Sequence, residues 1–192
     1  MSDHIDRRRS HGRGVMTRRH MLRLGAWGAL AAAAPLPLQA LPSAAGSRAL
    51  AFYNRHTGER LRAVYWEQGA YLRSSLAEID HHLRDHRTGD VKAIDPRLLD
   101  LLYRLRGALG TQEPFHVISG YRSPATNALL ASRSGGVGKR SFHMRGMAID
   151  MSLPGRSAGD LRRAALAQQA GGVGYYPSSG FVHVDVGHVR SW

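Results

Sequence analysis

The chain of 192 residues contains no cysteine. That absence excludes a disulfide framework, a thiolate metal site, a thiol nucleophile and a lipid anchor attached through cysteine. Acidic residues are scarce, 14 Asp and Glu against 27 Lys and Arg. Aromatics make up 7%, and no recognition motif with aromatics interleaved among basic residues is present, so the sequence points to no nucleic-acid partner. No apolar run is long enough to span a bilayer comfortably. The best candidate, Ala-rich residues 24–34, falls well short of the roughly 20 residues a spanning helix needs. The formal net charge is +13, but seven arginines (Arg7, Arg8, Arg9, Arg13, Arg18, Arg19, Arg23) and two aspartates (Asp3, Asp6) fall before Ala45 and account for +5 of it. About +8 remains on the rest of the chain, which suits anionic partners, nucleic acid or cell-wall polymer alike.

The first 45 residues read as an export signal. Arg18 and Arg19 precede an apolar stretch, Pro35, Pro37 and Pro42 interrupt it, and small residues follow at Ala40 and over residues 43–46. This resembles a twin-arginine signal, although the same arginines would fit a general secretory signal, and an uncleaved signal would leave an anchor. The remaining residues, 46–192, are enough for one domain with a real core.

Within that domain the periodicities alternate between strand and helix. Residues 50–53 and 60–66 read as a hairpin around a turn at 54–58. Residues 72–87 read as a helix, on which His82 and His86 share a face that we expect to be solvated. Asp95 and Pro96 are a cap and a first helical residue, and Leu98, Leu99, Leu101, Leu102 and Leu105 give the following helix its apolar side. Residues 115–120 read as a strand delivering Tyr121 and Arg122 at its end, Ser123 caps a helix from Pro124, and residues 134–140 form a Gly-rich basic loop that would wall a cleft. Residues 158–170 read as a further helix. The expected fold is α+β, a small, mainly antiparallel central sheet with flanking helices.

Two stretches carry candidate chemistry. From Gly146 onward the chain reads as a strand with Gly146, Ala148 and Asp150 on one face and Met147, Ile149 and Met151 on the other, and His143 just precedes it. The small residues beside an acid leave room for something other than protein. Near the C-terminus, Phe181, His183 and Asp185 alternate with Val182, Val184 and Val186. Two imidazoles and a carboxylate from separate segments, His143, Asp150 and His183, make a three-ligand set of the kind that holds a catalytic zinc and leaves one position open. The plainer reading of the same residues is polar side chains on half-buried strands.

The pattern His143-x-x-Gly146-x-Ala148-x-Asp150 with His183-x-Asp185 resembles the zinc peptidases that include D-Ala-D-Ala carboxypeptidases, the hedgehog fold and lysostaphin-type enzymes. Within them the chain is most similar to the YcbK-like, M15-related murein endopeptidases. That likeness includes residues 119–124 (Ser-Gly-Tyr-Arg-Ser-Pro), residues 171–177 (Gly-Gly-Val-Gly-Tyr-Tyr-Pro) and the closing residues 181–192, and covers the chain from about Leu50. The resemblance implies one zinc per chain, a zinc-bound water as nucleophile, and peptidoglycan peptide cross-links as substrate. It also implies action in the periplasm by a monomer free of the membrane once the signal is removed. It assigns Arg122 to polarising the carbonyl or holding an oxyanion. Relatives often carry an acid three residues before the final His ligand. Here that residue is Gly180, which leaves Asp185 as base, as a group orienting His183, or, with His183 acting on the water instead, as a ligand. The same departure leaves room for a zinc-containing wall-binding module without catalysis.

Overall fold

The first hairpin of the computed structural model follows from alternation. In β1 (Ser47–Asn54) Leu50 and Phe52 point inward, and in the antiparallel β2 (Arg60–Glu67) Ala63 and Tyr65 do the same. The Asn54 side chain accepts from the His56 and Thr57 amides and ties the turn. The structure describes residues 46–134 and 137–192. The export segment expected over residues 1–45, with its paired arginines, lies outside them. Among the described residues no helix is long and apolar enough to cross a membrane.

A short β3 (Ala70–Tyr71) extends the hairpin, and α1 (Arg73–His82) follows. The helix expected to run to residue 87 stops at His82 because the chain beyond is engaged elsewhere. The Leu83 carbonyl accepts from the Tyr121 amide, and the buried Asp85 carboxylate accepts from the amides of Arg87 and Ser123. His82 and His86 therefore share no helix face. His82 is buried near Phe52, and His86 stacks on His56 with ring centres 3.9 Å apart. In α2 (Pro96–Ala108) the Asp95 side chain caps the Arg97 amide, and the five leucines named above are all buried.

After α2 the chain enters β4 (Phe115–Ser119), which lies parallel to β1. Ser123 caps α3 (Pro124–Arg133) through the Thr126 amide, and a 3-10 turn, Phe142–Arg145, leads into β5 (Ala148–Ser152). Gly146 is not part of the strand. It ends the 3-10 turn with φ 67°, in the left-handed region open to glycine, and a Cβ there would collide with the Ala93 carbonyl. A capping box between Ser157 and Asp160 starts α4 (Ala158–Ala167), which ends three residues before the expected Ala170. The chain closes with β6 (Gly172–Tyr176), β7 (Phe181–Asp185) and β8 (Arg190–Ser191).

The fold is α+β as expected, but the sheet is neither small nor uniform. It has eight strands in the order β3-β2-β1-β4-β5-β7-β6-β8. The β1–β4 and β6–β8 pairs are parallel, and the others are antiparallel. Crossovers explain both exceptions. The helical excursion between β2 and β4 returns the chain in the direction of β1. After β7 the C-terminal residues pass over β6 and pair with its other edge as β8. Helices α2 and α4 pack on each other, α2 against β1 and α4 against β6 and β7. They cover a core of Leu50, Phe52, Phe115, Ile149, Met151, Val182 and Val184. That packing leaves Asp150 and His183 to the opposite side of β5 and β7.

Candidate metal centre

Register brings the two strand residues together. Asp150 on β5 pairs directly with His183 on β7, and Ser119 on β4 lies on its other side. His143 is delivered by the 3-10 turn, where its own amide donates to the capping Ser141 hydroxyl. His143 Nε2 lies 3.2 Å from Asp150 Oδ1 and 3.1 Å from His183 Nδ1, and His183 Nδ1 lies 2.9 Å from the same Oδ1. All three residues are buried.

The outward nitrogens fix the tautomers. His143 Nδ1 is 2.7 Å from the Gly120 carbonyl, so it carries the proton and leaves the Nε2 lone pair facing Asp150. His183 Nε2 is 3.0 Å from Asp185 Oδ2 and donates to it, which turns the Nδ1 lone pair inward. Two nitrogen lone pairs and a carboxylate oxygen at such separations require positive charge between them. Burial pushes the Asp150 carboxyl up, but the His143 and His183 imidazoles outweigh it and hold the group well below the usual range. Burial lowers the His183 imidazole, yet its bonds to Asp150 and Asp185 raise it overall. A divalent ion answers the same demand. A tetrahedral site with bonds of about 2.0–2.1 Å separates its ligand atoms by roughly 3.3 Å, within a few tenths of an ångström of what His143, Asp150 and His183 present.

The surroundings are layered. Arg122, 8% exposed, donates from Nη2 to Asp150 Oδ2 at 3.3 Å, and from Nη2 and Nη1 to Ser119 and Asn127 at 3.4 Å. Its Nε is buried without a partner. Burial lowers the Arg122 guanidinium, and Asp150 partly offsets the effect. Asp185 is 0% exposed and lies behind the His183 ring, away from the convergence. Its oxygens take the amides of Gly172 and Gly187, two contacts from Arg190 and one from His183. Burial opposes ionisation of Asp185, but these donors hold its carboxyl well below the usual range.

Above the trio opens a cleft of about 880 Å³, and Arg122, His143, Asp150 and His183 form its floor. One wall comes from Val137, Gly138 and Arg140 of the Gly-rich loop, tied to α3 where Asn127 Nδ2 donates to the Gly138 carbonyl at 3.2 Å. The other carries Tyr176, Phe181 and Trp192. The structure thus unites His143, Asp150, His183 and Arg122 and sets Asp185 one residue back. Sequence reasoning missed Asp85, Asn127, Tyr176, Arg190 and Trp192. Asp85 meets Ser123 38 residues away and Tyr176 meets Trp192 16 residues away, and the closing segment carried only a likeness, with no pattern to give Arg190 or Trp192 a role.

An α+β chain whose sheet presents such a trio to an open cleft is built like a metallopeptidase. Comparison with known proteins makes the peptidase class definite. The family model described as Peptidoglycan L,D-endopeptidase MepK matches residues 42–192. The chain is 46% identical over 175 residues to the Peptidoglycan L,D-endopeptidase MepK of Escherichia coli (strain K12), covering 91% of this chain and 96% of that one. It is 39% identical over 159 residues to a probable peptidoglycan L,D-endopeptidase MepK of Haemophilus influenzae, covering 82% and 86%. This chain belongs to that family, within the M15-related, YcbK-like murein endopeptidases, and is a peptidase. A crystal structure of the Serratia marcescens L-Ala D-Glu endopeptidase ChiX overlaps 50% of this chain and 68% of that one at 16% identity, with a TM-score of 0.33.

Proposed function

We propose that the protein is a zinc-dependent murein endopeptidase that hydrolyses peptide cross-links with water as nucleophile. One zinc per chain would be held by His143 Nε2, Asp150 Oδ1 and His183 Nδ1. The observation that carries this reading is the convergence of those three buried atoms with both outward nitrogens already engaged. The names of the relatives supply the substrate class, and the basic cleft, with Arg122, Arg140, Arg145 and Arg190 on it, suits carboxylate-rich wall peptides. On this reading the protein acts in the periplasm, reached by the twin-arginine route after loss of residues 1–45, as a monomer free of the membrane. The murein substrate of the named relatives supports the compartment, and the paired Arg18 and Arg19 support the route. The antiparallel pairing around β5 and β7 agrees with a hedgehog and D-Ala-D-Ala-peptidase kind of sheet.

A zinc ion in such a site supplies a Lewis acid and a water acidified to a pKa of about 7. The chain supplies the rest. Arg122 is anchored by Asp150, Ser119 and Asn127 and keeps N–H groups for the carbonyl oxygen under attack. Of the roles open to Asp185, geometry favours orientation. With its oxygens filled by five contacts, it holds His183 in one tautomer and strengthens it as a ligand instead of acting on the water.

The test is incubation of the purified chain with cross-linked murein sacculi, with zinc and after chelation, followed by separation of the fragments. Conversion of cross-linked to uncross-linked peptides with zinc alone is expected. Zinc-loaded protein that binds sacculi and leaves every cross-link intact would support the non-catalytic wall-binding alternative.

A further inference from the structure

Arg122 is one donor at the cleft, and the opposite wall holds a second polar group with no assigned part. Tyr176 is the last residue of β6, and Gly172, Gly174 and Tyr176 share the face of that strand that looks toward the site. Gly174 pairs with His183 across β7, and Tyr176 stands one side-chain step further along, about 6.5 Å. Its ring is held by stacking on Phe181, with centres 4.5 Å apart and planes 17° from parallel. Its oxygen accepts from Trp192 Nε1 at 2.9 Å. That contact fills an acceptor position and leaves the phenolic O–H to donate elsewhere. Trp192 can lie there because Gly174 has no side chain. A Cβ at Gly174 would come within 2.7 Å of the indole, whose ring centre is 5.2 Å from that of His183. Tyr176 and Arg122 line the same cleft.

We propose that Tyr176 is a catalytic residue, a hydrogen-bond donor to the carbonyl oxygen of the scissile peptide as that oxygen gains negative charge, and that Trp192 positions it. The inference rests on the hydrolase reading given above. The phenol donates a hydrogen bond and keeps its proton, so it complements Arg122 without serving as the base. Held by Phe181 and Trp192 before substrate arrives, it needs no reorganisation at the moment of reaction, the condition under which such donors are most effective.

Tyr176→Phe keeps the ring and its stacking and removes the hydroxyl. On zinc-loaded full-length protein acting on cross-linked murein fragments, kcat is expected to fall about 10²- to 10³-fold with KM little changed, and zinc content to stay at wild-type level. A phosphinate isostere of the cross-link, which carries the tetrahedral charge, should bind the variant weaker by a similar factor, while the uncross-linked product peptide binds both proteins equally. Trp192→Phe keeps a ring but loses the N–H, and is expected to cost roughly 2- to 10-fold in kcat. In the double variant that cost should vanish, because the indole acts through the hydroxyl. Unchanged kcat and phosphinate affinity in Tyr176→Phe overturn the proposal, as does a loss traced to missing zinc or to equal weakening of product binding. If wild-type protein cleaves nothing, the hydrolase reading fails on its own, and the phosphinate comparison still decides whether Tyr176 faces a tetrahedral anion.

Discussion

The two faces of β5 and β7 are buried almost alike and composed oppositely. On one, Ile149, Met151, Val182 and Val184 are all 0% exposed and pack beneath the helices. On the other, Asp150, His183 and Asp185 are nearly as inaccessible. Each apolar side chain contributes about 1.5–3 kcal/mol by leaving water. The polar face gains nothing that way and survives because every charge has a partner. Burial therefore does not separate core from site here. Partner chemistry does. The core face is satisfied by contact alone, and the site face by hydrogen bonds and charge, including one point where two imidazole nitrogens and a carboxylate converge closely enough that they could hold a cation.

That contrast can be broken most sharply by exchanging what each face loses. His183→Ala is expected to abolish both metal binding and hydrolysis while the chain remains folded, read by metal content beside circular dichroism. Ile149→Ala, one residue from Asp150, should instead cost about 2–5 kcal/mol of stability in a denaturant titration. Arg122→Ala should retain the metal and lose about 2.7–4 kcal/mol of transition-state stabilisation, seen as kcat. Asp185→Asn sharpens the assignment behind the imidazole. Metal affinity should weaken about 10- to 100-fold and activity should return when the metal is saturating. Activity lost with metal fully bound would make Asp185 the base after all.

The smallest effect tests a carboxylate on neither face. Burial pushes the Asp85 carboxyl up from 3.8, but bonds from Thr126, Ser123 and Arg87 outweigh it and bring the pKa to about 2. A depressed carboxylate stabilises the fold above its unfolded pKa, so the contribution, on the order of 2 kcal/mol, should be present above pH 3.8 and fade as pH falls toward 2. Asp85→Asn should flatten that part of the stability profile.

Local chemistry made much of this legible. The Asp95-Pro96 and Ser123-Pro124 starts, the β1–β2 hairpin and the alternation in β7 depend on neighbours within a few residues, and the structure has them where they were expected. His143, Asp150 and His183 could be grouped because each sits in a patterned stretch. What depends on distant partners was not visible. Nothing near Leu83 or Asp85 announces the Tyr121 and Ser123 amides, each 38 residues away, and those bonds engage the chain just beyond α1 and tie down the loop bearing Arg122. The His82–His86 spacing fits a helix turn, yet one ring is taken into the core and the other stacks on His56. Gly146 fits a strand pattern and serves a different need, a left-handed step pressed against Ala93.

The order of the three candidate ligands along the chain has a further consequence. His143 and Asp150 are 7 residues apart, and His183 follows 33 residues later, beyond α4 and β6. An ion held by all three is a clasp across a long loop in a polypeptide that has no covalent cross-links, and it has no counterpart once the chain unravels. Its binding energy is then shared with folding, and the melting temperature becomes a gauge of how much free metal surrounds the protein.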